Sequence, residues 1–486
     1  MNEEIRVLEP KNIWNKFADL NAVPRPSKHE ERVIEFMMDF GKALGLETFE
    51  DAVGNVIIKK PATVGMEDRK TVILQSHLDM VHQKNADTDF DFKTQGIEMY
   101  VDGDWVKAKG TTLGADNGLG VATIMALLES KDIPLPPLEA LFTIDEETGM
   151  TGAEGLKGGL LQGDILLNLD TEDDDEIDIG CAGGVDVTAK GIYREVPVNE
   201  EYTAFKIEVK GLSGGHSGMD IHLGLGNANK IMNTLLMLGQ ERLGLRVTKI
   251  DGGGLRNAIP RESTALVAMK SLDSNEFDAL FKDWANSLKK EFAATEPNLK
   301  MVYEPASLPK MAMESKDQLA LSEAIRNAHN GVYAMSKSMK DLVETSNNIA
   351  RVEVGEGQIK IACLTRSSVE AGKMELAKKL QDNFEKSGYE VTLSGDYPGW
   401  DPNPDSAILK LLQAKYIELF NERPKVVACH AGLECGILGK NYPEVDMISF
   451  GPTIKGAHSP DERASISSLQ KFWMFILEIL RETPKI

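Results

Sequence analysis

The alternation of apolar and polar positions in the first part of the chain predicts an α/β domain. Short β-rich apolar runs are separated there by segments with a helical period, through about residue 185. This pattern is typical of a mixed, mostly parallel sheet covered by helices on both faces. A helix is predicted at 119–130, where Leu119, Ile124 and Leu127 share one face. The clearest predicted strands are 55–60, 71–76, 139–144, 164–169 and, near the C-terminus, 445–452.

The pattern changes after about Lys190, where amphipathic strands and helices replace the buried apolar runs. Two rounds of similar elements between about 190 and 395 predict an α+β domain made of two related halves. A segment rich in proline and glycine, 395–406, marks its end. The predicted organisation is a sheet domain at 1–186 and 397–486 that is interrupted by an inserted domain at 187–396.

Composition and charge narrow the classes of function. The 486 residues are too many for one ordinary hydrophobic core, so two or three domains are expected. The net charge of −22 argues against nucleic acid and anionic membranes as partners, because phosphate groups bind basic surfaces, but it does not exclude divalent cations. The N-terminus lacks the basic start and apolar stretch of a signal peptide, and the four cysteines are scattered. We therefore expect a cytoplasmic protein with reduced thiols.

Side chains able to bind a metal follow the predicted strands of the sheet domain. Strands of an open α/β sheet place their carboxyl ends along one crevice, so residues far apart in sequence can converge there. Two imidazoles with several carboxylates suit zinc, with cobalt or manganese as substitutes. The candidates are His77, Asp79, Glu146, Glu147, Asp170 and His458, together with Asp116 from the glycine-rich turn before the predicted helix.

Each of these short motifs is weak by itself, and their combination carries the argument. A single His-x-Asp or Glu-Glu pair is more often a surface feature than a ligand set. The acidic run 171–178 is interpreted as a solvated surface, because acid runs usually are and because it lacks the spacing of a calcium loop. Candidate ligands of the right types at the ends of several strands are much harder to explain by chance.

The ordered motifs resemble those of the M20 metallopeptidases and, within them, the aminoacyl-histidine (cytosolic non-specific) dipeptidases. The resemblance extends along nearly the whole chain. It rests on the ordered segments SHLDMV, GADNG, DEETGMTGA, NLDTED, GGHSG, RNAIPRE, YPGWDP, HAGLECG and GAHSPDE.

The resemblance implies two Zn²⁺ ions per subunit that share Asp116 as a bridging ligand. One ion would be completed by His77 and Asp170, and the other by Glu147 and His458. Two dications held close together can lower the pKa of a bridging water, the expected nucleophile, and stabilise charge on the attacked carbonyl.

The same resemblance implies roles for three further residues around the reacting bond. Glu146 would be the general base, and Asp79 would orient the His77 ring. His216 resembles a family histidine that reaches the carbonyl oxygen in the transition state from the inserted, lid-like domain. Without the family pattern, His216 would be interpreted as a turn residue packed among glycines.

Three positions resemble those that hold the free carboxylate of the substrate: Asn257, Arg366 and Gly432. The expected function is hydrolysis of unblocked dipeptides, with Xaa-His and β-alanyl-histidine (carnosine) as candidate substrates. The alternatives are an N-acyl amino acid amidohydrolase, a tripeptidase, and a non-catalytic binding protein on the same fold. A homodimer is compatible with the sequence, but the double-length insertion could complete the site within one chain.

Overall fold

The structure is a computed structural model and describes residues 2–486. The α-helices in this range are α1 Glu3–Arg6, α2 Lys11–Leu20, α3 Glu31–Ala43, α4 Ala115–Glu129, α5 Thr151–Gly155, α6 Ala228–Leu243, α7 Ser274–Glu291, α8 Ser315–Asn327, α9 Glu370–Lys386, α10 Ala407–Phe420, α11 Glu434–Asn441 and α12 Ile466–Arg481. The strands up to residue 197 are β1 Glu47–Glu50, β2 Val56–Lys60, β3 Val72–His77, β4 Met99–Asp102, β5 Trp105–Ala108, β6 Leu138–Thr143, β7 Ile165–Asn168, β8 Glu176–Cys181, β9 Gly183–Ile192 and β10 Glu195–Pro197. The later strands are β11 Tyr202–Lys210, β12 Arg246–Gly253, β13 Ser263–Lys270, β14 Lys300–Ala306, β15 Met311–Met313, β16 Gly331–Met335, β17 Val343–Gly355, β18 Gln358–Ser367, β19 Glu390–Tyr397, β20 Lys425–Cys429, β21 Asp446–Ser449, β22 Ile454–Lys455 and β23 Arg463–Ser465.

Contacts between residues group the chain into two compact units. Among the described residues, unit 1 contains 2–180, 402–428 and 433–486, and unit 2 contains 181–401 and 429–432. The role of the inserted segment as a lid over the site stays a prediction.

Unit 1 is built on an eight-stranded mixed sheet in the order β1-β2-β6-β3-β7-β21-β8-β20. The four strands β6, β3, β7 and β21 run parallel to one another, while β2 runs antiparallel to β6 and β8 runs antiparallel to β21. Strands β3, β6 and β7 are buried along their whole length, which explains their nearly continuous apolar sequences. The predicted mixed, mostly parallel α/β sheet is therefore confirmed.

Unit 2 carries a second, nine-stranded sheet whose strand pairs are all antiparallel. Its strand order is β14-β11-β13-β12-β17-β18-β9-β19, and β16 also pairs with β17. Two groups of four strands and two helices share the order βαββαβ. One group is β11-α6-β12-β13-α7-β14; the other is β9-α8-β17-β18-α9-β19, and the first group lies in the chain between its β9 and its α8. The two groups are joined by the pairing of β12 with β17. The two predicted α+β halves are therefore present and share one continuous sheet.

Among the described residues, none of the helices is both long enough and apolar enough to cross a membrane.

Candidate metal centre and carboxylate pocket

The carboxyl ends of the central strands of unit 1 bring the predicted ligands together. His77 is the last residue of β3, Glu147 follows β6, and Asp170 follows β7. Asp116 lies at the start of α4, where its φ of −80° and ψ of 110° are not helical, so the regular helix begins after it. His458 lies in the loop between β22 and β23 and has a φ of 65°, a region that residues other than glycine rarely occupy.

Asp116 lies between the two histidines and offers one carboxylate oxygen to each. Its Oδ1 is 3.2 Å from Nε2 of His77, and its Oδ2 is 3.1 Å from Nε2 of His458. Asp170 Oδ1 is 3.5 Å from the same nitrogen of His77, and Glu147 Oε2 is 3.0 Å from that of His458. Two three-residue groups result, and Asp116 belongs to both; within each group the potential ligand atoms lie within 4.8 Å of one another.

Two buried oxygens in these groups have no hydrogen-bond partner among the described residues: Glu147 Oε1 and Asp170 Oδ1. A buried carboxylate oxygen without a hydrogen bond is costly, because burial removes the hydrogen bonds it would make to water and no protein donor replaces them. A divalent cation would satisfy such an oxygen. The residues present therefore fit a metal centre with mixed nitrogen and oxygen ligands.

The electrostatics of the cluster agree with this fit. Hydrogen bonds to Asp116 and Glu147 raise the pKa of His458 to about 11. Burial alone would lower the pKa of His77, but Asp170 and Asp116 outweigh it and raise that pKa well above its usual value. Burial alone would raise the pKa of Asp116, but hydrogen bonds from the two histidines hold it well below its usual value. The carboxylates thus create a strong local preference for positive charge.

Asp79 is completely buried and connects three segments of unit 1. Its Oδ1 is 3.4 Å from Nδ1 of His77, and its backbone carbonyl is 3.2 Å from the same nitrogen. Its carboxylate also accepts hydrogen bonds from the backbone N–H groups of Glu146, at 3.0 Å, and Glu147, at 3.3 Å, and from the Ser27 hydroxyl at 2.8 Å. Asp79 therefore contacts the loop that carries Glu146 as well as the His77 ring.

Glu146 lies at the edge of the ligand cluster with its side chain 12% exposed. Its Oε2 is 4.0 Å from Nε2 of His77. Burial raises the pKa of this carboxyl well above its usual value; His77 opposes the shift, and Asp170 and Glu434 add to it. A carboxyl with a raised pKa beside a cluster of candidate metal ligands is a candidate proton-transfer group.

Arg366, one of the residues predicted to bind the substrate carboxylate, lies in unit 2. The Arg366 side chain is buried, and its guanidinium donates to the Tyr397 hydroxyl at 2.8 Å and to the Ser217 hydroxyl at 3.5 Å. Among the described residues, no carboxylate forms an ion pair with it. A buried guanidinium without a carboxylate is costly, and its planar donors suit the carboxylate of a ligand.

His216 lies beside this arginine in the glycine-rich loop. Its Nδ1 accepts hydrogen bonds from the backbone N–H groups of Gly218, at 3.2 Å, and Met219, at 3.1 Å. Burial and then the charge of Arg366 lower the pKa of His216, which favours the neutral ring. Because Nδ1 accepts, the proton of the neutral ring is on Nε2, and that nitrogen can donate a hydrogen bond.

The remaining predicted residues of the pocket lie on loops next to His216. The backbone carbonyl of Asn257 accepts from the backbone N–H of Ser217 at 2.7 Å. Gly432 belongs to the segment 429–432 of unit 2. The carbonyl of His430 in that segment lies so close to Gly218 that a Cβ atom there would approach it to 2.0 Å. Only glycine fits at Gly218, so the two loops pack directly against each other.

The acidic run 171–178 is not simply solvated, and that interpretation was wrong in part. Lys455, Lys471 and Lys425 form ion pairs with Asp173, Asp174 and Asp175 at 2.6, 2.8 and 3.0 Å. Asp178 is buried, and its Oδ2 accepts from the Thr171 hydroxyl at 2.8 Å. The basic partners come from distant parts of the chain, so the run itself gave no signal of them.

Three buried charged residues near the ligands were not predicted. Glu434 accepts from Gln75 Nε2 at 2.6 Å and from the Thr143 hydroxyl at 2.7 Å. Glu462 and Arg25 both contact the turn before α4. Glu434 and Glu462 lie inside the motifs HAGLECG and GAHSPDE, which was the available signal, whereas nothing in the sequence distinguished Arg25.

The chain is similar in sequence and in fold to known peptidases. The profile described as Peptidase family M20/M25/M40 matches residues 73–482. The cytosol non-specific dipeptidase of Escherichia coli (strain K12) is 43% identical over 481 residues, covering 99% of each chain. The crystal structure of aminoacylhistidine dipeptidase from Vibrio alginolyticus has a TM-score of 0.94 and 42% identity, covering 100% of this chain and 99% of the other. Aminopeptidase PepT from Bacillus cereus, at 16% identity over 98% and 99% of the two chains, has a TM-score of 0.62 and shares the fold alone.

Proposed function

This chain belongs to peptidase family M20/M25/M40, and we propose that it is a di-zinc dipeptidase that hydrolyses the peptide bond of unblocked dipeptides. The single observation that carries the proposal is Asp116, whose two oxygens face two different histidines within two overlapping ligand groups. The relatives from Escherichia coli and Vibrio alginolyticus are both named as dipeptidases, which supports the substrate class.

The family is metal-dependent, and the ligand set of this chain supports two cations. We assign Asp116 as the shared ligand, His77 and Asp170 to one ion, and Glu147 and His458 to the other. Zinc fits this mixture of imidazole and carboxylate, and cobalt or manganese could replace it. When bound, the two ions lower the pKa of a water molecule and polarise the scissile carbonyl.

Glu146 is the proposed general base. Its carboxylate accepts a proton from the attacking water and afterwards delivers it to the amine of the leaving amino acid. Burial raises the pKa of the Glu146 carboxyl and so makes its carboxylate a stronger base. Asp79 is proposed to orient the His77 ring and, through its hydrogen bonds to the backbone at Glu146 and Glu147, to hold the base in place.

The pocket of unit 2 is proposed to bind the free carboxylate of the substrate and to stabilise the transition state. Arg366 supplies a guanidinium that has no carboxylate partner of its own, and Asn257 and Gly432 are assigned to the same carboxylate. His216 is the proposed donor to the carbonyl oxygen, because its neutral ring carries the proton on Nε2. A site that binds the carboxylate just beyond the scissile bond favours dipeptides over longer peptides.

Xaa-His dipeptides are proposed to be among the substrates, because the Vibrio alginolyticus relative is named for them. Carnosine is included as a test case. The name of the Escherichia coli relative also supports a cytoplasmic location for this chain. A homodimer is compatible with the proposal, but the mechanism does not require one.

A substrate panel on the metal-reconstituted enzyme tests the proposal. The panel contains an Xaa-His dipeptide, carnosine, a dipeptide without histidine, an N-acetylated dipeptide, a dipeptide amide and a tripeptide. We expect cleavage of free dipeptides, loss of activity after chelation and recovery with zinc or cobalt. Preference for the N-acetylated compound would identify an amidohydrolase, and preference for the longer peptide would identify a tripeptidase. Undiminished hydrolysis after complete metal removal would reject the mechanism.

A further inference from the structure

Two buried residues of opposite charge, Glu462 and Arg25, hold the turn that presents Asp116. Glu462 is 2% exposed, and its carboxylate accepts hydrogen bonds from four consecutive backbone N–H groups. These donors are at Leu113, Gly114, Ala115 and Asp116, at distances of 2.7, 3.0, 2.8 and 3.2 Å. Both carboxylate oxygens are used, two donors to each.

Arg25 binds a backbone carbonyl of the same turn, whereas Glu462 binds its N–H groups. It is 1% exposed, and its Nη2 donates to the carbonyl of Gly114 at 2.6 Å and to Asn21 Oδ1 at 3.0 Å. Its Nη1 donates to the carbonyls of Leu78 and Asp79 at 3.0 and 3.1 Å. One guanidinium therefore ties the turn before Asp116 to the segment that follows His77.

The position of Glu462 in the chain adds a third segment. Glu462 follows His458 in the same loop, and its backbone N–H donates to the Ser459 carbonyl at 3.0 Å. Through Glu462 and Arg25, the segments that carry His77, Asp116 and His458 are joined by hydrogen bonds that involve none of the ligand atoms. These hydrogen bonds hold the three ligand-bearing segments in position relative to one another without contacting a ligand atom.

A helix cap alone would not require this arrangement. The N-cap residue of α4 is Gly114, which has no side chain to cap the helix, and a local serine or aspartate would satisfy the free N–H groups with less buried charge. Burying a carboxylate and a guanidinium is costly, and here the Nε of Arg25 also lacks a hydrogen-bond partner among the described residues. A bridging ligand, in contrast, must lie within a fraction of an ångström of its ideal position.

We infer that Glu462 and Arg25 are positioning residues that hold Asp116, before any cation arrives, at the geometry for binding two cations. The inference rests on the proposed di-metal function. It differs from the assignment of ligands, because neither residue offers an atom to the metal. Its consequence is that Glu462 contributes to metal affinity more than to the stability of the fold.

The test compares Glu462→Gln with a matched control, Glu139→Gln. Glu139 is also a buried carboxylate that accepts two backbone N–H groups, those of Gln162 and Gly163 at 2.7 and 2.9 Å, and its other oxygen is paired with Lys59 at 2.9 Å. These contacts lie at the amino ends of β6 and β7, opposite the carboxyl ends that carry the ligands. An amide offers one acceptor oxygen in place of two and turns its NH₂ toward the remaining donors. Zinc affinity is measured on the full chain by competition with a coloured chelator.

We expect wild type and Glu139→Gln to bind two zinc ions with the same affinity, and Glu462→Gln to bind at least one of them about 10- to 100-fold more weakly. Wild-type affinity in Glu462→Gln would overturn the inference. Failure of the wild type itself to bind zinc would instead reject the proposed function, so the two failures are distinguishable.

Amide hydrogen exchange on the wild type gives a second measurement that does not depend on a variant that folds. In the metal-free protein, the amides of residues 113–116 should already be protected, because Glu462 holds them. Rapid exchange in the metal-free protein, with protection only after zinc is added, would mean that the metal organises the turn. That result would overturn the inference.

Discussion

Replacement of Arg366 by methionine should abolish the preference of the enzyme for a free substrate carboxylate. Methionine fills a similar volume without charge, so the perturbation removes the guanidinium and leaves most of the packing. In the structure, Nη1 of Arg366 is engaged with Tyr397 and Nε with Ser217, whereas Nη2 makes no hydrogen bond to any described residue. Nη2 therefore remains for the substrate.

The size of the effect follows from those free donors. A hydrogen bond to a charged group contributes about 1.5 to 3 kcal/mol, so one or two such bonds correspond to a loss of roughly 10- to 10,000-fold in kcat/KM. The assay is a cycle of two enzymes and two substrates, in which wild type and Arg366→Met are each given a dipeptide and its C-terminal amide. Wild type should strongly prefer the free acid, and the variant should hydrolyse both compounds at a similar low rate.

Arg351→Met is the matched control for this cycle. Arg351 lies in unit 2 and is paired with Asp251 at 2.6 Å and with Glu353 at 2.7 Å, so its charge is already satisfied. This variant should keep the wild-type preference for the acid. The assignment of Arg366 would be refuted if Arg366→Met retained the full preference, or if wild type cleaved acid and amide equally well.

Three further predictions concern the proposed general base Glu146, the proposed hydrogen-bond donor His216 and the buried carboxyl of Asp178. Glu146→Gln should retain both metals, measured by elemental analysis, but lose about 10²- to 10⁴-fold in kcat, and a near-normal kcat would reject the base assignment. His216→Ala should lower kcat with little change in KM or metal content, because the proposed bond forms only in the transition state; an effect on KM alone would contradict that role. Burial raises the pKa of Asp178 from 3.8 to about 7, so the folded state resists ionisation and loses stability as the pH rises through that range. At about 1.4 kcal/mol per pH unit, the loss in free energy of unfolding reaches about 4 kcal/mol once the pH is above both pKa values. Asp178→Asn cannot ionise, so this variant should have a higher melting temperature than wild type at pH 8 but not near pH 4. A melting temperature of Asp178→Asn that exceeds wild type by the same amount at both pH values would contradict this explanation.

The strands and their final residues could be predicted from the sequence because their signals are local. The runs at 71–76 and 139–144 are apolar and β-rich, and they became β3 and β6, displaced by only one residue. The types of residue at the strand ends, together with the general rule for the carboxyl edge of a sheet, were sufficient to predict a metal site. The two halves of unit 2 were visible for the same reason, as a repeated order of strand and helix patterns.

The partners of the site residues could not be predicted in this way. Ser27 contacts Asp79, Arg25 contacts the carbonyl of Gly114, and the lysines that neutralise the acidic run come from distant parts of the chain. Many of these contacts join a side chain to the backbone, which is chemically the same at nearly every position. Such contacts produce no periodicity, no fixed spacing and no residue type that identifies the partner.

The sequence by itself therefore determined which elements form, which residues end them and which ligand chemistry they supply, since these depend on neighbours along the chain. Only the tertiary structure decided that the two oxygens of Asp116 face different histidines, that Asp79 also holds the backbone at Glu146, and that Glu462 collects four N–H groups of one turn. These properties depend on distances between segments that the fold brings together. The packing of the sheet and its loops, which no local pattern encodes, sets those distances.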